Sequence, residues 1–121
     1  MRNKVLIIDD ETIICELGQE MFEMLDYEAF IAYNLNDAVE IFTAHHNDIG
    51  LVILDLNLEG ISGVEVYRKL LTIDDNINAV IASGEFLESD APKYQAMGIK
   101  EILTKPYGIK DLQKLSTQFL Q

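Results

Sequence analysis

The sequence predicts an α/β fold in which strands and helices alternate along one domain. Five short apolar runs fit strands, and the segments between them carry apolar residues at helical spacing. Two of the runs, 5–8 and 51–54, are apolar at every position, which is typical of central parallel strands covered on both faces. Because parallel neighbours need crossover connections, the alternation favours a sandwich with helices on both faces of one sheet and right-handed crossovers.

Five predicted strands would form the sheet. Each predicted strand is a short apolar run followed by polar or turn-forming residues. The five runs lie at 5–8, 28–32, 51–54, 78–82 and 101–104.

The first two helices follow the first two strands. The first is predicted over 12–25, where four apolar residues share one face: Ile14, Leu17, Met21 and Leu25. Asn34 is a favourable N-cap for the second helix, and Asp37 lies in the first turn of that helix. His45 and His46 close this helix, where cations suit the C-terminus, so a metal site at the two histidines is not expected.

The remaining three helices also carry start and stop signals. Ser62 and Glu65 form a capping-box pattern ahead of the third helix. A shorter fourth helix is predicted over 91–97, with Pro92 in its first turn and Gly98 as its stop. The fifth helix carries an inward-facing stripe made of Ile109, Leu112, Leu115 and Phe119.

Length and charge exclude several classes of protein. A chain of 121 residues can bury roughly two-thirds of its unfolded surface in one core, and we find no linker, repeat or low-complexity segment. We therefore expect one domain over residues 1–121 with no output domain. The net charge of −12 speaks against direct binding to nucleic acid or to an anionic membrane surface.

Cysteine content and hydropathy point to a compartment. A single cysteine, Cys15, cannot form an internal disulfide, so a reducing cytoplasm is the expected location. The apolar run after Lys4 ends in acidic residues too early for a signal peptide, and no stretch approaches transmembrane length. Cys15 itself is expected to be a packing residue of the first helix.

Charged and polar side chains follow the predicted strands at their carboxyl ends, where functional groups of an open parallel sheet gather. These side chains are Asp9, Asp10, Asp55, Ser83 and Lys105. Like charges about 4 Å apart repel by on the order of 4 kcal/mol at an effective dielectric near 20, so the three carboxylates need compensating cations. Lys105 supplies one charge, and Mg²⁺, which prefers carboxylate oxygens, would supply the rest.

The same residues predict phosphoryl transfer. An ionised Asp55 placed between Asp10 and Lys105 can attack a phosphorus whose oxygens are neutralised by the metal and the lysine. The product is an acyl phosphate that water can later remove. Hydrogen bonds to the new phosphoryl group would come from the Ser83 hydroxyl and from backbone amides near Asn57 and Gly84.

Four motifs in this order, VLIIDDE, LVILDLNLEGISG, VIASG and ILTKPY, resemble those of the receiver domain of two-component response regulators. The resemblance covers the chain from Lys4 to Phe119 and includes receivers of the chemotaxis type. It implies a flavodoxin-like (βα)5 fold with a five-stranded parallel sheet in the order 2-1-3-4-5. The residues from 82 to 112 also look like receivers fused to hybrid histidine kinases.

The resemblance assigns roles to individual residues. Asp55 is the implied phosphoacceptor, Ser83 the switch hydroxyl and Lys105 the contact to the phosphoryl group. The implied Mg²⁺ ligands are Asp10, Asp55 and the backbone carbonyl of Asn57, with Asp9 acting through water. The implied switch region is Ile102, Pro106 and Tyr107, with a cis bond between Lys105 and Pro106.

Two positions depart from the family pattern. Glu59 stands where most receivers have proline, which adds an acid near the cleft. Ile102 stands where the fifth strand usually carries an aromatic residue that moves with the hydroxyl, and Tyr107 is a nearby candidate to replace it. We expect phosphorylation to occur, with a smaller or differently routed change in the output surface.

The function implied is a phosphorylation-dependent signalling switch. The chain would accept its phosphoryl group from a sensor histidine kinase or a histidine phosphotransfer protein, and would signal to a target through the face of the fourth helix, fifth strand and fifth helix. It would be a phosphoacceptor that catalyses its own phosphotransfer and autodephosphorylation, not a conventional enzyme. It could be a stand-alone regulator, a phosphorelay intermediate or the receiver of a hybrid kinase.

Three other functions compete with this interpretation. A haloacid-dehalogenase-like phosphatase needs a second aspartate where this chain has Asn57, and an FMN carrier needs a hydroxyl-rich loop where this chain has Asp9 and Asp10. A degenerate receiver that serves as a phosphorylation-independent docking module is the stronger alternative, because Glu59 and Ile102 are atypical.

Overall fold

A computed structural model describes residues 2–85 and 88–120 and shows one five-stranded parallel sheet. We number its strands β1 to β5 along the chain, and the spatial order β2-β1-β3-β4-β5 confirms the predicted 2-1-3-4-5 arrangement. The strands are β1 (Lys4–Ile8), β2 (Ala29–Ala32), β3 (Ile49–Asp55), β4 (Ala79–Ser83) and β5 (Glu101–Thr104).

Helices connect successive strands and cover both faces of the sheet. They are α1 (Thr12–Met24), α2 (Leu35–His45), α3 (Gly63–Leu71), α4 (Ala91–Ala96) and α5 (Ile109–Phe119). The sequence did not predict two short elements, a hairpin of Asn57–Leu58 with Ile61–Ser62 and a 3-10 turn at Glu88–Asp90. Within the described ranges, no helix is both long enough and apolar enough to cross a bilayer.

Two hydrophobic cores lie on opposite faces of the sheet, which explains why residues 5–8 of β1 and residues 51–54 of β3 are apolar at every position. In β1, Leu6 and Ile8 pack with the core under α2, α3 and α4, whereas Val5 and Ile7 pack with the core under α1 and α5. All four side chains are fully buried. Burying each one stabilises the fold by roughly 1.5–3 kcal/mol, so a polar residue on either face of β1 would be costly.

The strand register brings the carboxyl ends of four strands to one edge. Ile8 pairs with Leu54, Asp55 pairs with Ala82, and Ser83 pairs with Thr104. The residues that follow β1, β3, β4 and β5 therefore start their loops side by side. This edge is where the sequence predicts the functional groups.

The predicted caps are present. The Asn34 side chain accepts a hydrogen bond of 2.8 Å from the Asp37 N–H, and the Ser62 hydroxyl accepts one of 3.3 Å from the Glu65 N–H. Gly98 follows α4 with a φ of 100°, a left-handed conformation that glycine adopts without strain.

The inward face of α1 differs from the prediction by about one residue. The buried positions are Cys15, Gly18 and Phe22, whereas Leu17 is 50% exposed. The remaining residues of the predicted stripe are half-buried: Ile14, Met21 and Leu25. The prediction followed the large apolar side chains, but the small residues Cys15 and Gly18 let the helix lie close to β1.

Candidate functional site

Lys105 joins the loops after β1 and β3. Its Nζ atom lies 2.7 Å from Oδ2 of Asp9 and 3.3 Å from Oδ1 of Asp55. The lysine is held at its backbone as well, because its N–H donates to the Ser83 carbonyl at 2.8 Å. Burial alone would lower the pKa of Lys105, but the two carboxylates outweigh burial and raise that pKa. The side chain therefore stays protonated at neutral pH.

Asp55, the predicted phosphoacceptor, ends β3 and is 5% exposed. Burial raises the pKa of Asp55, and the nearby negative charge of Asp9 raises it further. The Asn57 N–H, 3.2 Å from Oδ1, and the Lys105 ammonium oppose that shift. This balance leaves a carboxylate with few water contacts and one direct cation, which suits a nucleophile.

Asp9 is 2% exposed, and both oxygens of its carboxylate contact other groups of the protein. Its Oδ1 accepts the Glu11 N–H at 2.9 Å, and its Oδ2 faces Lys105. Its backbone carbonyl accepts a hydrogen bond of 3.2 Å from the Cys15 thiol, and the predicted burial of that cysteine is confirmed. In this structure Asp9 is thus an ion-pair partner of the lysine, whereas the resemblance implies a water-mediated contact to a metal.

Four carboxylates lie close enough together at this edge of the sheet to bind one cation. A ligand oxygen from each of Asp9, Asp10, Glu11 and Asp55 lies within 4.8 Å of the others. All these donors are carboxylate oxygens, the type that hard divalent cations such as Mg²⁺ prefer. The donor set therefore fits the predicted metal.

A tight hairpin shapes the loop after Asp55. Its two short strands pair Asn57 with Ser62 and Leu58 with Ile61. At the start of α3, a Cβ on Gly63 would overlap the Asp55 carbonyl oxygen, so only glycine allows α3 to begin this close to the end of β3.

Ser83 lies at the predicted place but its hydroxyl is occupied by its own loop. Ser83 Oγ donates to the Glu85 carbonyl at 2.7 Å and accepts from the Glu85 N–H at 3.2 Å. Gly84 is exposed, and an added Cβ there would meet no described atom within 4 Å. The described residues therefore leave space around Gly84.

Two of the three predicted switch residues, Ile102 and Tyr107, lie on opposite faces of the sheet. Ile102 is half-buried and packs against the core under α2, α3 and α4, whereas Tyr107 is buried in the core under α1 and α5. Tyr107 thus lies on the opposite side of the sheet and does not replace the aromatic residue that Ile102 lacks. The Lys105–Pro106 bond is cis, as the resemblance implies.

Two further residues contact this site, one through its side chain and one through its main chain. The Glu11 carboxylate lies 3.5 Å from Lys105 Nζ and belongs to the acidic cluster. The Glu59 N–H donates to Oδ2 of Asp10 at 2.8 Å. Residue type alone does not reveal a main-chain contact of this kind.

Comparison with known proteins identifies the family. The model of the response regulator receiver domain matches residues 5–117. Sporulation initiation phosphotransferase F of Bacillus subtilis is 29% identical over 120 residues, which cover 99% of this chain and 95% of that protein. The phosphate regulon transcriptional regulatory protein PhoB of Pseudomonas aeruginosa is 34% identical over 112 residues, which cover 89% of this chain but only 47% of that protein.

Solved structures agree with this assignment. A response regulator receiver domain protein from Clostridium thermocellum superposes with a TM-score of 0.86 at 28% identity, covering 95% of this chain and 91% of its own. The chemotaxis protein CheY4 of Vibrio cholerae has a TM-score of 0.88 at 20% identity, covering 99% of this chain and 100% of its own, and supports the fold. This chain belongs to the response regulator receiver domains, the phosphorylation-dependent signalling modules of two-component systems.

Proposed function

We propose that Asp55 is the phosphoacceptor of this receiver. The observation that carries the proposal is the position of the Lys105 ammonium, 3.3 Å from the Asp55 carboxylate within a cluster of acidic ligands. A carboxylate oxygen of Asp55 attacks the phosphorus of a phosphohistidine, the P–N bond breaks, and the imidazole nitrogen leaves with its electron pair and takes up a proton. The product is an aspartyl phosphate, and hydrolysis by water returns the carboxylate and inorganic phosphate.

Lys105 stabilises the charge that develops on the phosphoryl oxygens. Its side chain is only 11% exposed, so solvent screens the charge of the ammonium poorly and the charge acts strongly at short range. The backbone N–H of Asn57 already points at Asp55 Oδ1 and is placed to donate to the phosphoryl group. Gly84 borders the open space through which that group enters.

Receiver domains bind Mg²⁺ at an acidic site, and the donors present here fit that ion. We assign Asp10, Asp55 and the Asn57 backbone carbonyl as its ligands, with Asp9 in a supporting position next to Lys105. The bound ion would supply positive charge against the phosphoryl oxygens. A similar structure, response regulator protein TrrA of Thermotoga maritima, was determined in complex with Mg²⁺ and BeF; it has a TM-score of 0.81 at 24% identity, covering 98% of this chain and 99% of its own.

The switch in this proposal begins at Ser83. Its hydroxyl leaves the Glu85 carbonyl and donates to the phosphoryl group, which draws the loop after β4 toward Asp55. The signal then passes to the face made of α4, β5 and α5, where Ile102 lies half-buried. Because Ile102 has no ring to move, we expect the change on this face to be small.

The phosphoryl donor is a histidine kinase or a histidine phosphotransfer protein, and the output is the binding of a target protein. Similarity to sporulation initiation phosphotransferase F over 95% of that protein's length favours a place in a phosphorelay. The alternative, a docking module that is never phosphorylated, would need the Asp9, Asp55 and Lys105 cluster to have no chemical role.

Intact-mass measurement after incubation with acetyl phosphate and Mg²⁺ tests the proposal. We expect one phosphoryl adduct, formed as the P–O bond of acetyl phosphate breaks and acetate leaves, and no adduct with EDTA or in the Asp55→Asn variant. An unlabelled protein, under conditions that label another receiver, would favour the docking module. An adduct that persists in Asp55→Asn would place the acceptor elsewhere.

A further inference from the structure

The turn after Asp55 makes a main-chain contact to the loop after β1. Residues Glu59 and Gly60 connect the two strands of the hairpin, and Gly60 has a φ of 79°. A left-handed glycine at the second central position is typical of a type II turn, whose first central position is then Glu59. From this position the Glu59 N–H donates to Oδ2 of Asp10 at 2.8 Å.

This hydrogen bond occupies one oxygen of Asp10 and leaves the other open. Among residues 2–85 and 88–120, no second group donates to the Asp10 carboxylate. Asp10 is also the least enclosed aspartate of the cluster, since Asp9 and Asp55 are buried. A side chain at an open rim samples several rotamers unless a partner holds it.

We infer that Glu59 is a positioning residue of the metal site and that it acts through its backbone N–H. The inference rests on the proposed function, in which Asp10 is a Mg²⁺ ligand. By holding Oδ2, the N–H reduces the rotamer freedom that Asp10 must give up when its other oxygen binds the cation. The contact also links the loop that follows the phosphoacceptor to a ligand carried by the loop after β1.

The side chain of Glu59 has a different and smaller role. It is exposed, and in the described part of the chain it forms no ion pair. Its charge acts on the cation only through solvent, where salt screens it. Main-chain and side-chain effects at this position can therefore be separated by substitution.

Two variants of one residue make the test. Glu59→Pro deletes the N–H while the turn accepts it, because proline is favoured at the first central position and Leu58 before it is already extended. Glu59→Ala removes the carboxylate and keeps the N–H. Each variant is titrated with MgCl₂, and the dissociation constant is read from amide chemical shifts, with thermal unfolding as the control for folding.

We expect Glu59→Pro to weaken Mg²⁺ binding by about three- to tenfold and Glu59→Ala by less than about twofold, since the net contribution of one hydrogen bond is of this order. The inference is overturned if Glu59→Pro binds like the wild type, or if both variants weaken binding equally. Failure of the wild type itself to saturate with Mg²⁺ would instead contradict the proposed metal site. In 0.5 M NaCl the screening length is roughly 4 Å, which suppresses the effect of the exposed carboxylate. The difference in Mg²⁺ dissociation constant between Glu59→Pro and Glu59→Ala should remain under this condition.

Discussion

The ammonium of Lys105 lies closer to Asp9 than to the proposed phosphoacceptor. Nζ is 2.7 Å from Oδ2 of Asp9, compared with 3.3 Å for Oδ1 of Asp55. Since both carboxylates are buried, one cation compensates two charges that solvent screens weakly. In the proposed phosphorylated state, the ammonium can contact the phosphoryl group on Asp55 while it stays paired with Asp9.

Removal of that cation should destabilise the fold. We expect Lys105→Met to lower the free energy of unfolding by about 3–5 kcal/mol at pH 7, because it leaves two buried carboxylates unpaired. Denaturant unfolding measures the change, and Lys100→Met, at an exposed lysine, serves as the control with a change within about 0.5 kcal/mol.

The loss of unfolding free energy in Lys105→Met should become smaller as the pH falls. Burial and Asp9 raise the pKa of Asp55 while Lys105 lowers it, so removal of Lys105 moves this pKa higher still, and as the pH falls the variant gains stability from protonation of Asp55 at a higher pH than the wild type does. Denaturant unfolding at pH 7 and pH 5 measures this effect: the variant and the wild type should differ less in free energy of unfolding at pH 5 than at pH 7. An equal difference at both values would mean that Asp55 is not the residue left unpaired.

Ser83→Ala should separate phosphorylation from the loop change. We expect Asp55 to be labelled within about tenfold of the wild-type rate, since Lys105 remains. In the wild type, addition of Mg²⁺ and BeF₃⁻ should shift the amide resonances of Gly84 and Glu85, because the hydroxyl leaves the Glu85 carbonyl. In Ser83→Ala those shifts should be lost.

Ser116 offers a matched control for the Ser83 experiment. It is also a buried serine, and its hydroxyl donates to a carbonyl at 2.7 Å within α5. Ser116→Ala should cost about 1 kcal/mol of stability but leave the shifts of Gly84 and Glu85 intact. Loss of those shifts in both variants would attribute them to general destabilisation.

Two buried tyrosines should respond differently to removal of the hydroxyl. The Tyr107 hydroxyl is buried without a hydrogen-bond partner in the part of the chain that the structure describes, whereas the Tyr67 hydroxyl donates to the Met97 carbonyl at 3.0 Å. We expect Tyr107→Phe to be neutral or up to about 1 kcal/mol more stable, and Tyr67→Phe to lose about 1 kcal/mol. Thermal unfolding compares them, and a clear loss in Tyr107→Phe would reveal a bound water or another acceptor.

Asp74 should make stability depend on acidic pH. The pKa of Asp74 is lowered by the Asn76 N–H at 2.9 Å, by His46 at 2.8 Å and by Arg2 at 2.9 Å. A carboxyl whose folded pKa is depressed stabilises the protein fully above its ordinary value of 3.8 and loses that contribution as the pH falls through the folded pKa. We expect Asp74→Asn to cost about 1 kcal/mol at pH 7 and progressively less below about pH 4.

The neighbouring exposed Asp75 provides the control for Asp74. Asp75→Asn should leave the unfolding free energy within about 0.5 kcal/mol of the wild type at both pH values. If the Asp74→Asn difference stays constant from pH 7 to pH 3, the contacts around Asp74 do not depend on its ionisation.

The order of elements and the edge that carries the site could be predicted from sequence. Fully apolar runs identified β1 and β3 as central strands, and the residues after the strands identified Asp55, Ser83 and Lys105. These features are local, because the period of burial and the residue at a strand end are both read along one short segment. The inward face of α1 could not be predicted in this way, because small residues, which carry a weak hydrophobic signal, decide how closely that helix packs.

Only the tertiary structure decided how the loops meet. It showed that Lys105 leans toward Asp9, that Ser83 is bonded to Glu85, and that Tyr107 and Ile102 lie on opposite faces of the sheet. It also revealed the Glu59 N–H on Asp10, a contact between residues 49 positions apart. Distances of this kind depend on strand register and on the packing of separate loops, and a main-chain donor has no side-chain identity from which to predict it. The sequence determined which acidic, hydroxyl and lysine side chains lie at the ends of the strands, and the packing of the loops decided which of their atoms are in contact.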